Sequence, residues 1–196
     1  SQDMFANRFQ GHTGSNGSTI DARITAQGYL WTAYGENVFS KAQSVWHGHG
    51  AFDVDLGGAA SVGGMQDPPG HRNTIHDPVY REAGIGVING RSGNVGPQLV
   101  TQDFGSGRVL TPFITGVAYY DLNHDSFYDL GEGLSGVTVL VEGSRFYAVS
   151  VSSGGFSAPV PANGAYAVTF TLPGLVETKK TVSVVNNQNV KVDFTP

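Results

Sequence analysis

One twelve-residue run gathers side-chain oxygens at a telling spacing: Asp121-Leu122-Asn123-His124-Asp125-Ser126-Phe127-Tyr128-Asp129-Leu130-Gly131-Glu132. Asp121, Asn123, Asp125, Asp129 and Glu132 stand at loop positions 1, 3, 5, 9 and 12. A chain segment with oxygens in that order can wrap them around one calcium ion. The Phe127 carbonyl at position 7 would complete the set, and Glu132 would bind through both oxygens. Ser126 takes position 6, where glycine is usual, so the sharp turn there is altered. Four carboxylates in one segment repel one another, and a hard cation relieves that repulsion. The alternative is an acidic, solvated turn.

A second group is His47-Gly48-His49-Gly50, followed by Asp53 and Asp55. Two histidines one residue apart point the same way if the backbone is extended. Neutral imidazole and carboxylate are good ligands for zinc and similar metals. The same groups can instead do acid–base work on a bound ligand. Serines are plentiful, but none sits in the Gly-x-Ser-x-Gly elbow that presents a nucleophile ahead of a helix.

The elements that must position these residues fall into two parts. Five of the six histidines and both tryptophans precede residue 110, and alternating β-branched and aromatic runs follow it. The boundary is placed at Val109-Leu110-Thr111-Pro112, giving a domain over 1–110 and another over 113–196. In the first, Ser18 reads as a helix cap, with Ile20 and Ile24 on one face and Gly28 as the stop. A second helix is predicted from Phe39 to Trp46, with Ala42, Val45 and Trp46 inward. Residues 47–69 read as a long glycine-rich loop. A short helix follows near Pro69-Gly70-His71, then strands over Glu82–Val87 and Leu99–Phe104. In the second part, strands are predicted at 114–120, 137–141, 146–151, 165–172, 180–185 and 189–194. The turns between them are Ser153-Gly154-Gly155, Ala162-Asn163-Gly164 and Asn186-Asn187-Gln188, the pattern of a small all-β sandwich. The calcium loop therefore lies between strands, so it is not a helix–loop–helix sensor.

Composition narrows the function classes. Charged residues are 14%, against roughly 25% in an average soluble protein, and glycine reaches 28 residues. That balance points to a loop-rich extracellular protein. The net charge of −5 and the lack of any basic run argue against a nucleic-acid partner. There is no cysteine, which removes disulfide and thiolate–metal chemistry. No apolar run reaches the length of a membrane span. The start at Ser1 reads as a processed or trimmed segment.

Ordered motifs in the first part resemble a known family. They are Gly11-His12-Thr13-Gly14-Ser15-Asn16-Gly17-Ser18, Arg23-Ile24, Gly28-Tyr29, Gly35-Glu36-Asn37, Gly70-His71-Arg72-Asn73-Thr74-Ile75, Tyr80-Arg81-Glu82, Gly84-Ile85-Gly86-Val87 and Thr101-Gln102-Asp103-Phe104-Gly105. Together they resemble the bacterial branch of the CAP superfamily (SCP-like; cysteine-rich secretory proteins, antigen 5, pathogenesis-related 1). The resemblance implies a secreted α-β-α sandwich with a cleft lined by histidines and glutamates. It carries the cleft roles to His12, Glu36 and His71. His47 or His49 would complete a divalent metal site such as zinc. The later family histidine is absent, since Leu99-Val100 precedes Thr101-Gln102. The second cleft glutamate falls on His49 if Trp46 is the helical tryptophan. The other possibility is that His12 and Glu36 form a hydrogen-bonded pair tying loops together. Residues 113–196 resemble the B-type, prealbumin-like (Cna-B-like) repeats of bacterial surface proteins, which use calcium to stiffen the module.

The fold class expected is thus α+β: an α-β-α domain followed by an all-β prealbumin-like sandwich. The function expected is a secreted or surface binding protein whose cleft takes a small-molecule, lipid or protein ligand. A metal-assisted, peptidase-like hydrolase and a structural wall or matrix component are the alternatives.

Overall fold

The computed structural model describes residues 1–57, 64–109 and 111–196. The chain divides into two compact units, Ser1–Val109 and Leu110–Pro196.

The first unit is organised by a three-stranded antiparallel sheet. Its order is β1 (Trp31–Ala42), β3 (Gln98–Gly107), β2 (Glu82–Asn89). Paired residues share a face, so the register sorts the side chains. Glu36 pairs with Asp103 and Val38 with Thr101 on one face. Asn37 pairs with Gln102 and Phe39 with Val100 on the other. Each face has its own small apolar cluster. On the Glu36 face Met4, Val38, Val95 and Leu99 pack together, joined by Phe5 and Phe9. On the opposite face Ala42, Phe52 and Val100 pack with Phe39 and Ile75. The helices are α1 (Gln2–Asn7), α2 (Ile20–Ala26), α3 (Val45–Asp53) and α4 (Gly70–His76).

Several expectations need correction here. The segment 39–42 is strand, not helix, because it continues the β1 ladder to Ala42–Gln98. The helix begins later, where the Ser44 hydroxyl accepts from His47 N and His47 Nδ1 accepts from Gln43 N. This reciprocal cap fixes the start of α3. Consequently Val45 and Trp46 face solvent, and only Ala42 of the expected inward trio is buried. Residues 47–53 of the expected loop are helical, and 58–63 lie outside the described residues. The N-cap of α2 is Thr19 rather than Ser18.

The expected α-β-α CAP sandwich is also corrected. The four helices have six, seven, nine and seven residues. At 1.5 Å per residue they run about 9–14 Å, whereas a twelve-residue strand such as β1 spans about 40 Å. Strand outweighs helix over the described residues of the chain, and helices this short cannot form continuous layers over the sheet.

The second unit has two sheets. One is ordered β10 (Val190–Lys191), β4 (Phe113–Val117), β7 (Gly155–Pro159). The other is ordered β6 (Tyr147–Val149), β5 (Thr138–Val141), β8 (Gly164–Thr171), β9 (Thr178–Val184). One core joins them, including Ile114, Val139, Ala158, Val168, Phe170 and Phe194. Phe170 stacks on Phe194 with ring centres 5.1 Å apart and meets Phe156 edge-on at 5.7 Å. Strand β7 starts at Gly155, inside a stretch that reads as a turn. Gly116 is obligatory where β4 passes the chain end, since a Cβ there would lie 1.9 Å from the Val192 carbonyl oxygen.

Candidate functional site

The first unit contains an open cleft of about 720 Å³ between α2 and strands β2 and β3. Ile20, Ile24 and Ala26 of α2 supply an apolar wall, the backbone of Ala83, Gly84, Phe104 and Gly105 borders the other side, and Arg23, Tyr29, Glu82 and Asp103 supply polar groups. Tyr29 donates its hydroxyl proton to Glu82. Burial, and then that bond, push the Tyr29 phenol well above its ordinary range.

Behind the cleft stands Glu36, whose side chain is 5% exposed. His12 Nδ1 lies 2.8 Å from Oε1, and Arg23 donates from Nη2 to Oε2 at 2.9 Å. The other Arg23 terminal nitrogen donates to the carbonyls of His12 and Ser18. Arg23 therefore fastens the 12–18 loop to β1, and the His12–Glu36 pair belongs to that clasp. Across the strand pair Asp103 faces Glu36. Burial pushes the Asp103 carboxyl up to about 6, and the neighbouring Glu36 charge adds to it. Among the described residues, no group donates to Asp103 Oδ1, which is shielded from solvent.

His47, His49 and His71 lie on the opposite face. His71 Nδ1 is 2.7 Å from Oδ1 of the buried Asp55, whose Oδ2 accepts from Arg72 N. The His71 ring packs against Phe52 with centres 5.4 Å apart. Asn37 Nδ2 donates to the His71 carbonyl and lies 3.4 Å from Gln102 Oε1, and Gln102 Nε2 lies 3.1 Å from His49 Nδ1. His47 stands edge-on to Phe39. Because Glu36 and Asn37 are successive strand residues, they point to opposite sides. The sheet therefore stands between His12–Glu36 and the set His47, His49 and His71, and the expected single His/Glu groove is not formed. Among the described residues, no three His, Asp or Glu side chains gather so as to hold a metal ion.

In the second unit, the run from Asp121 to Glu132 is pinched at its base. Tyr119 bridges to Gly133, and Tyr120 N donates to the Glu132 carbonyl. The Glu132 side chain is buried, with its oxygens accepting from Leu122 N and Asp129 N at 2.8 Å each. Asp121 accepts from Asp125 N and Ser126 N, and Asp125 Oδ1 from Phe127 N. Asn123 Nδ2 donates to Asp125 Oδ2 at 3.0 Å and to Asp129 Oδ2 at 2.8 Å. Two carboxylates thus converge on one donor. Ser126 has φ 66°, the left-handed turn that glycine would take more easily.

Sequence reasoning missed Asp103 and the part played by Arg23, and it set Asp55 beside His47 and His49 rather than with His71. Asp103 and Arg23 appear in recognisable motifs, but the pairing of Asp103 with Glu36 is a matter of sheet register. Asp55 lies near the histidine pair and had that proximity as its only signal.

No protein-family profile matches the chain, and no curated protein matches it. The CAP and prealbumin-like, B-type-repeat resemblances are therefore set aside. Among solved structures, two crystal structures of type II cohesin–X-dockerin complexes from Acetivibrio cellulolyticus overlap part of the chain. One is a C-terminal interface mutant, at 25% identity with a TM-score of 0.34. The other is an N-terminal interface mutant, at 24% identity with a TM-score of 0.32. Each overlap covers 43% of this chain and 52% of the other, so this chain spans about half of those it matches. At these scores the overlap does not fix a shared fold. No helix among the described residues is long and apolar enough to cross a membrane.

Proposed function

We propose that the chain is a two-part extracellular binding protein, in which the first unit holds a ligand in its cleft and the second is a calcium-stiffened module. The observation that carries the reading is the open, apolar-walled cleft of about 720 Å³. Sites that take small organic ligands have volumes of about 300–1,000 Å³, mostly apolar walls and a few placed polar groups. The low charge and high glycine content support a place outside the cell. The test uses a neutral solvatochromic dye such as Nile red. Dye fluorescence should rise with protein and fall in Gly84→Phe, because Gly84 lines the cleft with open space where its Cβ would be. Equal dye binding by wild type and Gly84→Phe would sink the cleft as the site.

Calcium is assigned to the second unit on donor chemistry. Asp121, Asn123, Asp125, Asp129 and Glu132 offer oxygens only, with the Phe127 carbonyl among them, which suits a hard cation. The Asn123 amide, shared by two carboxylates, occupies a point where positive charge is favoured. The hydrogen bonds of Glu132 hold the loop ends ready. Bound calcium would supply charge neutralisation and cross-linking of the loop. At about a hundredfold excess over Kd it stabilises the folded unit by about 2.7 kcal/mol. Calorimetric melts in EDTA and in millimolar calcium should separate accordingly, and coincident melts would remove calcium from the reading.

A further inference from the structure

We infer that the cleft of the first unit takes a ligand with an apolar body and a cationic amine head, and that Asp103 holds the head. This rests on the cleft being the binding site and goes further by naming the ligand chemistry. Most polar groups of the cleft are already engaged. Arg23 is held by the His12 and Ser18 carbonyls and by Glu36. Glu82 holds the Tyr29 hydroxyl. Asp103 is the cleft carboxyl left over: among the described residues, its buried Oδ1 has no hydrogen-bond partner.

The sheet leaves this carboxyl uncovered on one side. Its cross-strand neighbour on β1 is Glu36, but on β2 it is Gly84, which has no side chain. A Cβ built on Gly84 meets nothing within 4 Å. Rotation about the terminal side-chain bond, which has a broad torsional preference, can present either Asp103 oxygen. Ile20, Ile24 and Ala26 of α2 line the same space and would cover an apolar body.

Charge selects the head group. Three carboxyls, Glu36, Glu82 and Asp103, stand against one guanidinium, Arg23, and the weaker influence of the Ser1 ammonium, with the His12 ring on Glu36. An anionic head would meet excess negative charge. A neutral head would leave the Asp103 charge uncompensated in a partly dry site, where burial already disfavours ionisation. An ammonium supplies both the missing donors and the missing charge.

The test compares 4-phenylbutylamine, 4-phenylbutanol and 4-phenylbutyrate by calorimetry at neutral pH, with wild type and Asp103→Asn, and follows Nile red alongside. The amine should bind wild type roughly tenfold tighter than the alcohol, as a charge-assisted hydrogen bond requires. The butyrate should be weakest. Asp103→Asn should abolish the preference for the amine and leave the alcohol unchanged. An amine no tighter than the alcohol on wild type overturns the inference without any variant. So does a preference that survives Asp103→Asn in folded protein. Failure of all three ligands while Nile red still binds also overturns it and leaves the cleft reading standing. Loss of the dye response as well would remove both.

Discussion

Replacing Asp103 by Asn should stabilise the first unit, and the gain should depend on pH in a defined way. Burial and the Glu36 charge move the Asp103 carboxyl from 3.8 to about 6, while Arg23 and the Ser1 amino group pull more weakly the other way. A displacement of that size disfavours the ionised form by about 3 kcal/mol. Asp103 is partly exposed, and solvent screening reduces the figure to about 1.5 kcal/mol. The sign follows from proton binding. Below about pH 3.8 both folded and unfolded chains hold the proton, and the charge costs nothing. Between 3.8 and about 6 the unfolded chain releases the proton first, so stability falls as pH rises. Above about 6 the full penalty is present. Asn carries no charge at any pH, and its amide can donate to Glu36 throughout. The Asn variant should therefore match wild type near pH 3.5 and melt about 6 °C higher by neutral pH. Trp31 and Trp46 both lie in the first unit, so tryptophan fluorescence reports its melt separately from the second. A variant less stable than wild type at neutral pH, or a gain that is the same at every pH, would refute the reasoning.

Two further outcomes follow from the second unit. Phe170→Ala empties a fully buried site between Phe156 and Phe194, and it should cost about 3–5 kcal/mol in a denaturant melt of the second unit. Ser126→Gly relieves a left-handed backbone worth about 1 kcal/mol, partly offset by the chain entropy of glycine. It should leave the second unit as stable or slightly more so, and calcium titration should give an affinity equal to or tighter than wild type.

The parts legible in the sequence were those set by local pattern. The alternation of Ala165-Tyr166-Ala167-Val168-Thr169-Phe170 announces β8, and its inward residues Tyr166, Val168 and Phe170 are buried. Strand β1 was not legible. Gly35, Glu36 and Asn37 fall in no element predicted from the sequence, yet Gly35 is there because Tyr80 crosses it, with its hydroxyl 2.6 Å from where a Cβ would stand. Tyr80 donates to the Tyr34 carbonyl at 3.0 Å, a partner 46 residues away. The cleft had the same difficulty. His12, Glu36 and His71 are reasonable candidates singly. Which of them meet depends on Glu36 and Asn37 pointing to opposite faces, and that parity becomes visible only with the strand. The short helices also misled, since the cap of α3 uses a histidine side chain in a role that glutamate or glutamine usually fills.

The three-stranded sheet has a consequence for how the first unit can change. Its central strand β3 is paired on both edges, and the sheet acts as a partition between two ionisable neighbourhoods. A proton gained at Asp103 on one side is not handed to the His71–Asp55 pair on the other. Each compartment can acquire new chemistry, or lose it, while its neighbour keeps working under unchanged conditions.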